Sequence, residues 1–549
     1  MTPRLRRYVT LFILASLVWA IGIWVLTELF WQEERAQMGV QIRNGIMAIA
    51  ALGLLTYGVH GLSSKNQPAP TQATPPVPTE PQGFNGSPAM LARTGADYVL
   101  EVRGMGVVTE HATNREIWQK IEEKADNFAT YMSQNIDDYF ATDTRRISEL
   151  GASSNTSFKA GAKHAVSHWP VPVLIWEPPK HIDATRPSSR LAGLRQGASL
   201  GVHLLLWEDD ANTEDGVLML ERVFAFFDTH PDVPEALLVS QDGSMRRSLL
   251  RTPGHTSLPS EGKVIPPMPD SIATLLVARS DRVDARIRPY AVAQSGPVNR
   301  NTTDLDITRL WNFYWENDRD QGPDSFYAHS KAQEAALGSQ WPISADYMSS
   351  EWWHRILPRL WSTLSNDGPG DFTPSPYIPV RWTTWQVRQF DQAPLLGYLH
   401  RPVTVSLSKD DGQPLPQADQ AAAIKAGWEQ AVAALPSEQE PARVFYDTTG
   451  DARSVIPLNQ ALAQIGPQAP DLNNVKAGYD IGRRIGNTGI SSPLVQIGLG
   501  LVASYQQGGV SATVHRRPDG TATLIMVSPP EDEIKAAWVA KTNNSNPFR

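Results

Sequence analysis

Gly197-Ala198-Ser199-Leu200-Gly201 has the Gly-x-Ser-x-Gly form of a lipase nucleophile elbow. In that elbow a strand delivers the serine and a helix carries the chain away, which stands the hydroxyl on a strained turn above an oxyanion hole. Here RLAGLRQ, before the serine, has helical spacing, and VHLLLWE, after it, reads as a strand. The order is inverted. The glycines are expected to end a helix and start a strand, and Ser199 receives no catalytic role.

The runs VPVLIWE and VHLLLWE end alike, at Glu177 and Glu208. If these strands are parallel neighbours, both carboxylates sit at the carboxyl edge of an α/β sheet, where such sheets bind ligands. Asp209, Asp210, Glu214 and Asp215 enrich the same edge in oxygen ligands. Acid pairs of this kind bind hard cations or move protons, but most are solvated loop charges, so no residue there is assigned a function.

His164 and His168 are four residues apart without the glutamate of the zinc-protease motif. Asp318-Arg319-Asp320-Gln321-Gly322 opens like a calcium loop, yet His329 stands where the closing carboxylate belongs. Gly104-x-Gly106 lacks a third glycine, and the stretch from Gly482 to Gly489 lacks the lysine of a phosphate loop. With no cysteine at all, thiolate chemistry and disulfides are excluded. The expectation is a non-enzyme with no catalytic residue, no cofactor and no metal.

Local signals are most consistent between Tyr98 and Asn135. Tyr98, Leu100 and Val102 alternate with Val99, Glu101 and Arg103, as in a strand with one buried face. Thr113 and Glu116 form a capping box, and Ile117, Ile121, Ala125, Phe128 and Met132 share one face of the helix predicted to follow. Farther on, VPVLIWE, VHLLLWE, EALLVS and IATLLVA are continuous apolar runs, which suit strands buried on both faces in a mainly parallel sheet. From Tyr377 the pattern repeats: IPVRWTTWQVRQF alternates, HRPVTVSLS and ARVFYDT read as strands, and ADQAAAIKAGWEQAVAAL as a helix. Pro518-Asp519-Gly520 sets a hairpin between VSATVHRR and TATLIMVS. Strand, helix, strand recurs in both halves, without a sequence repeat strong enough to prove duplication.

The run EVRGMGVV followed by IWQKIEEKADNFATYMSQ resembles the opening of the type VI secretion lipase adaptor family. The resemblance is concentrated between Asp97 and Leu150 and extends over the rest of the soluble chain. It implies an adaptor or chaperone that binds a phospholipase effector and passes it to the VgrG spike. It brings no catalytic positions with it.

The chain of 549 residues carries a formal charge of -8 spread along its length. Without a dense basic stripe, nucleic acid is not an expected partner. Tyr8 to Thr27 is an uncharged run preceded by Arg4, Arg6 and Arg7, long enough to cross a bilayer, and Asn44 to Ser64 is a weaker second one. Read as a hairpin with a cytoplasmic amino terminus, the pair anchors the chain in the bacterial inner membrane and returns it to the cytoplasm. If the second run stays out, the body is periplasmic. NQPAPTQATPPVPTEPQGFNGSP then serves as a semi-rigid spacer.

The expected architecture is therefore α/β, with two sandwich-like units joined by a Trp-rich helical segment. Its parts are a transmembrane hairpin (1–64), a proline-rich linker (65–94), an N-terminal α/β domain (95–300), a helical connector (301–370) and a C-terminal α/β domain (371–549). Eight of the 17 tryptophans fall between Trp311 and Trp385. Trp352, Trp353 and Trp361 are expected at the partner surface, because exposed aromatics make strong contact points. The rival expectations are a membrane-tethered α/β hydrolase and a periplasmic structural or sensor protein.

Overall fold

The computed structural model describes residues 98–549, apart from 111, 125, 127, 181–186, 210–212, 295–304, 321–347, 437–438, 545 and 549. The expected hairpin and linker therefore lie outside the described residues. Among those described, no helix is long and apolar enough to cross a membrane.

The first half runs β1 (Leu100–Thr109), β2 (Ala112–Thr113), α1 (Asn114–Glu123), α2 (Asp143–Ala162), β3 (Pro170–Trp176), α3 (Pro187–Gly197), β4 (Leu204–Asp209), α4 (Leu218–Thr229), β5 (Glu235–Asp242), α5 (Ser244–Leu250), β6 (Ser271–Ala278) and α6 (Ser280–Arg286). Among the described residues α7 (Asp306–Asp320), α8 (Ser350–Trp361) and α9 (Thr384–Gln392) follow. The second half is β7 (Gly397–Leu399), β8 (Val403–Ser406), α10 (Gln417–Ala433), β9 (Pro441–Tyr446), α11 (Val455–Ile465), β10 (Gly478–Asp480), α12 (Ile481–Arg484), α13 (Ser492–Gln507), β11 (Val510–Arg516), β12 (Thr521–Ser528) and α14 (Asp532–Thr542).

The strands form a single sheet in the order β10-β9-β11-β12-β7-β1-β6-β5-β3-β4, with β2 and β8 added at its side. From the centre outward the two halves match strand for strand. β1 pairs antiparallel with β6, β6 antiparallel with β5, and β5, β3 and β4 run parallel. β7, β12, β11, β9 and β10 repeat the same directions. The recurrence seen in the sequence is thus a repeated topology, in which α4 and α13 are equivalent helices.

The expected pair of separate sandwich units is corrected by the junction. Leu100, Glu101 and Val102 of β1 pair with Leu399, Tyr398 and Gly397 of β7, so the sheet runs on from one half to the other. One apolar core also draws residues from both halves, while a second cluster fills the space beneath α10 and α11. The mainly parallel sheet becomes a mixed one because β6 runs antiparallel to both of its neighbours, β5 and β1, and β1 antiparallel to β7.

β3, β5 and β6 are buried along their whole lengths, as continuous apolarity predicts. The glycines of β1 serve packing: a Cβ on Gly106 would collide with the Ser157 carbonyl, so the glycine lets α2 lie directly on the strand.

Three local expectations change. The capping box at Thr113 and Glu116 forms, but α1 ends at Glu123 instead of reaching Met132. Buried Arg484 of the second half donates to the Lys124 carbonyl at 2.6 Å, and the Tyr131 amide donates back to the Arg484 carbonyl, which draws the chain out of the helix. Ala125 lies outside the described residues. IPVRWTTWQVRQF, read as a strand, contains α9 instead: Thr383 and Gln386 make a capping box, and Gln386, Val387 and Phe390 are buried at helical spacing. The described parts of the Trp-rich segment include the helices α7 and α8, and its residue Met348 lies on the outer edge of the first half, where its carbonyl accepts from the Trp207 amide at 2.7 Å.

Candidate functional site

Ser199 sits after the end of α3 with φ of 59°, exposed, and β4 begins at Leu204, so helix precedes strand at the Gly-x-Ser-x-Gly motif. No elbow is formed there.

β3 and β4 are parallel neighbours, as anticipated. Glu177 is buried against Arg246, with Arg190 at 3.4 Å. Burial opposes its charge, but the two guanidiniums outweigh that and hold its pKa below the ordinary value. Glu208 accepts instead from the Tyr377 hydroxyl at 3.2 Å. The sheet brings the two glutamates to one edge and gives each its own partner.

α2 ends before His164, so His164 and His168 share no helix face. His168, with φ of 59°, packs edge-on against Trp311 at 4.3 Å between ring centroids. Burial pushes its pKa down to about 4, and that of His203 likewise. Among the described residues no group of three or more His, Asp or Glu could hold a metal. The calcium-like stretch falls in part outside the described residues.

Trp352 and Trp353 are buried, against the expectation of exposed aromatics, and Trp361 is half-buried. The apolar face of α8 turns them inward. The Trp353 indole donates to the Pro376 carbonyl at 3.0 Å and that of Trp361 to the Pro379 carbonyl at 3.2 Å, so both brace the 376–379 segment.

Two surface features remain. The first is a set of exposed apolar side chains. Ile136, Phe140, Ile147 and Ile265 are 37–48% exposed, on two chain segments that the Lys263–Asp137 ion pair and Arg146 tie together. Arg146 pins the segments that carry them. It donates to the carbonyls of Phe140 at 3.2 Å and Pro259 at 2.6 Å, to that of Gly262, and to Asp143. Beside Phe140 lies a small hollow of mixed character, lined by Tyr139, Leu258 and Val264 and also by Glu110, Glu149 and Asp270. Nothing in the composition flagged this patch, because its residues come from two loops and a helix end more than a hundred positions apart.

The second is a polar cleft of about 530 Å³ where the halves meet, between the starts of α4 and α13. Glu214 and Asp215 form one wall, Asp447, Asp451 and Gln496 the other. Arg247 bridges Asp242 at 2.7 Å and Glu214 at 2.6 Å. Burial opposes the arginine's charge, yet these bonds raise its pKa. Arg517 binds Asp215 at 2.7 Å. Asp447 accepts from the Ser492 hydroxyl at 2.8 Å, and Ser492 in turn accepts from the Gln496 amide at 3.1 Å.

Residues 98–261 match the family described as Type VI lipase adapter protein Tla3, N-terminal, and residues 396–529 the one described as Type VI lipase adapter protein Tla3, C-terminal. The chain belongs to the type VI lipase adapter family. The two adapter segments begin just before β1 and β7, the equivalent strands that pair at the centre of the sheet. The apolar patch lies mostly within the first adapter segment, and a lipase effector is the partner the family implies.

Among solved structures, the chain is similar to a ketosynthase from module 6 of the bacillaene synthase of Bacillus subtilis 168, at 9% identity over 82% of this chain and 78% of that one, with a TM-score of 0.40. It is also similar to the ishigamide ketosynthase/chain length factor, at 11% identity over 79% and 100% of the two chains, with a TM-score of 0.39. Likenesses this distant say nothing of the adapter's chemistry.

Proposed function

We propose that this adapter binds a phospholipase effector through the patch built by Ile136, Phe140, Ile147 and Ile265, and hands it to the VgrG spike of a type VI secretion system. The observation that carries the reading is that three of these exposed apolar residues, Ile136, Phe140 and Ile147, fall in the first adapter segment, on a frame held by Arg146. A prearranged apolar surface limits the ordering cost of association and supplies contact area to a protein partner. In this reading the chain grips its cargo without turning it over. Supporting that, Ser199 lies on an exposed turn and Glu177 is bound to two arginines.

The reading keeps the body in the cytoplasm, tied to the inner membrane by the hairpin of residues 8–64. Alkaline phosphatase fused after Ser64 is then expected to be inactive, and strong activity would place the body outside.

The adapter role is tested by co-expressing the full chain with a lipase encoded nearby and purifying either one in detergent. Co-purification that withstands high salt is expected, since apolar contact is little screened. Absence of the lipase from the purified adapter under gentle conditions would refute the reading.

A further inference from the structure

We propose that the cleft between Asp447 and Glu214 is a binding site for a single organic cation, a guanidinium or ammonium group. Only the source of that cation depends on the adapter reading.

The charges around the cleft are unevenly satisfied. Asp447 and Asp451 accept neutral hydrogen bonds, from Thr449 and Ser492 and from the Arg453 amide, but carry no ion pair among the described residues, whereas across the cleft Arg247 and Arg517 are taken up by carboxylates of their own wall. Arg516, at the rim, is turned to Gln420 at 3.3 Å. Helix starts at α4 and α13 would favour an anion, but the chain supplies its own: Asp215 accepts the Val217 amide at 3.1 Å and Asp242 the Ile490 amide at 2.8 Å. The space left over is one that a positive group fills best.

Gln496 points the same way independently of charge. It is wholly buried at the cleft, and its Oε1 has no hydrogen-bond partner among the described residues. Its orientation is dictated by the relay beside it. The Ser492 hydroxyl gives its proton to Asp447 and must accept from Gln496, so Nε2 faces Ser492 and Oε1 is left as an acceptor. An unmet buried acceptor keeps the full penalty of losing its water. A ligand N–H removes that penalty, and a guanidinium can bond this oxygen and Asp447 together.

Such a cation has two sources, an arginine or lysine side chain of a bound protein or a free polyamine. Isothermal titration of the full chain in detergent with an acetylated tri-arginine peptide, the same peptide carrying neutral citrulline, and spermidine separates them. Saturable binding of the arginine peptide is expected, about tenfold weaker or more with citrulline and about tenfold weaker or more in both Asp451→Asn and Gln496→Leu. Gln496→Leu discriminates against mere surface attraction, because it changes no charge. Asp451→Asn is on an exposed loop and guards against a folding defect. Tighter binding of spermidine than of the peptide, lost in the same variants, would assign the site to a polyamine. Equal binding of arginine and citrulline peptides, binding untouched by both substitutions, or no binding of either cation overturns the proposal. Co-purification of the lipase, scored separately, would in that case leave the adapter reading standing.

Discussion

The carbonyl of Ile490 occupies the space that a Cβ on Gly216 would need, at the point where the equivalent helices α4 and α13 begin. The halves therefore meet backbone against backbone. A methyl group here must push the start of α13 away, and overpacking of this kind costs about 1–3 kcal/mol. Gly216→Ala is expected to lose that much in urea unfolding. Gly193→Ala, where nothing lies in the way of a Cβ, is expected to be neutral or to gain up to about 1 kcal/mol.

Acid should weaken the fold through its buried imidazoles. Burial pushes His168, His203 and His400 from the ordinary 6.5 down to about 4. Between those pH values the unfolded chain takes up protons that the folded chain refuses, so stability falls as pH drops, by up to about 1.4 kcal/mol per pH unit for each ring. Glu235 works the other way. Buried and raised from 4.5 to about 7, it keeps its proton in the folded chain after the unfolded chain has lost it, so its contribution falls as pH rises through that range. Urea unfolding from about pH 4 to about pH 8 should show a shallower acid limb in His400→Gln and a flatter decline toward neutral pH in Glu235→Gln.

Much of this fold could be read from the sequence because burial and period agree. The runs that became β3, β5 and β6 are apolar throughout and buried throughout. The Asp519-Gly520 hairpin and the capping box at Thr113 follow from residues within a few positions of each other. What could not be read depends on distant partners. The end of α1 is set by Arg484, 360 positions from Lys124, and the single sheet by three residue pairs between β1 and β7. α9 was masked by an alternating pattern that its capping box overrode. The surfaces were least legible of all: the tryptophans of α8 advertised themselves and turned inward, while the segments carrying Phe140 and Ile265 are tied only in the fold, through Arg146.

Those tryptophans make a separate expectation. Trp353 is fully buried and hydrogen-bonded, so Trp353→Ala is expected to cost about 3–5 kcal/mol. Half-buried Trp361 should cost less. If Trp353→Ala kept its full unfolding midpoint while losing the lipase, the side chain would be a contact residue rather than a strut.

The most direct measurement is the affinity of the full chain for its lipase effector with and without the patch. Phe140→Asp and Ile136→Asp place charge on exposed positions and are expected to leave the unfolding midpoint unchanged. Together they should weaken lipase binding in calorimetry by about thirtyfold or more, the equivalent of about 2 kcal/mol at an interface centre. Undiminished affinity in the double variant would contradict the assignment of this surface to the lipase.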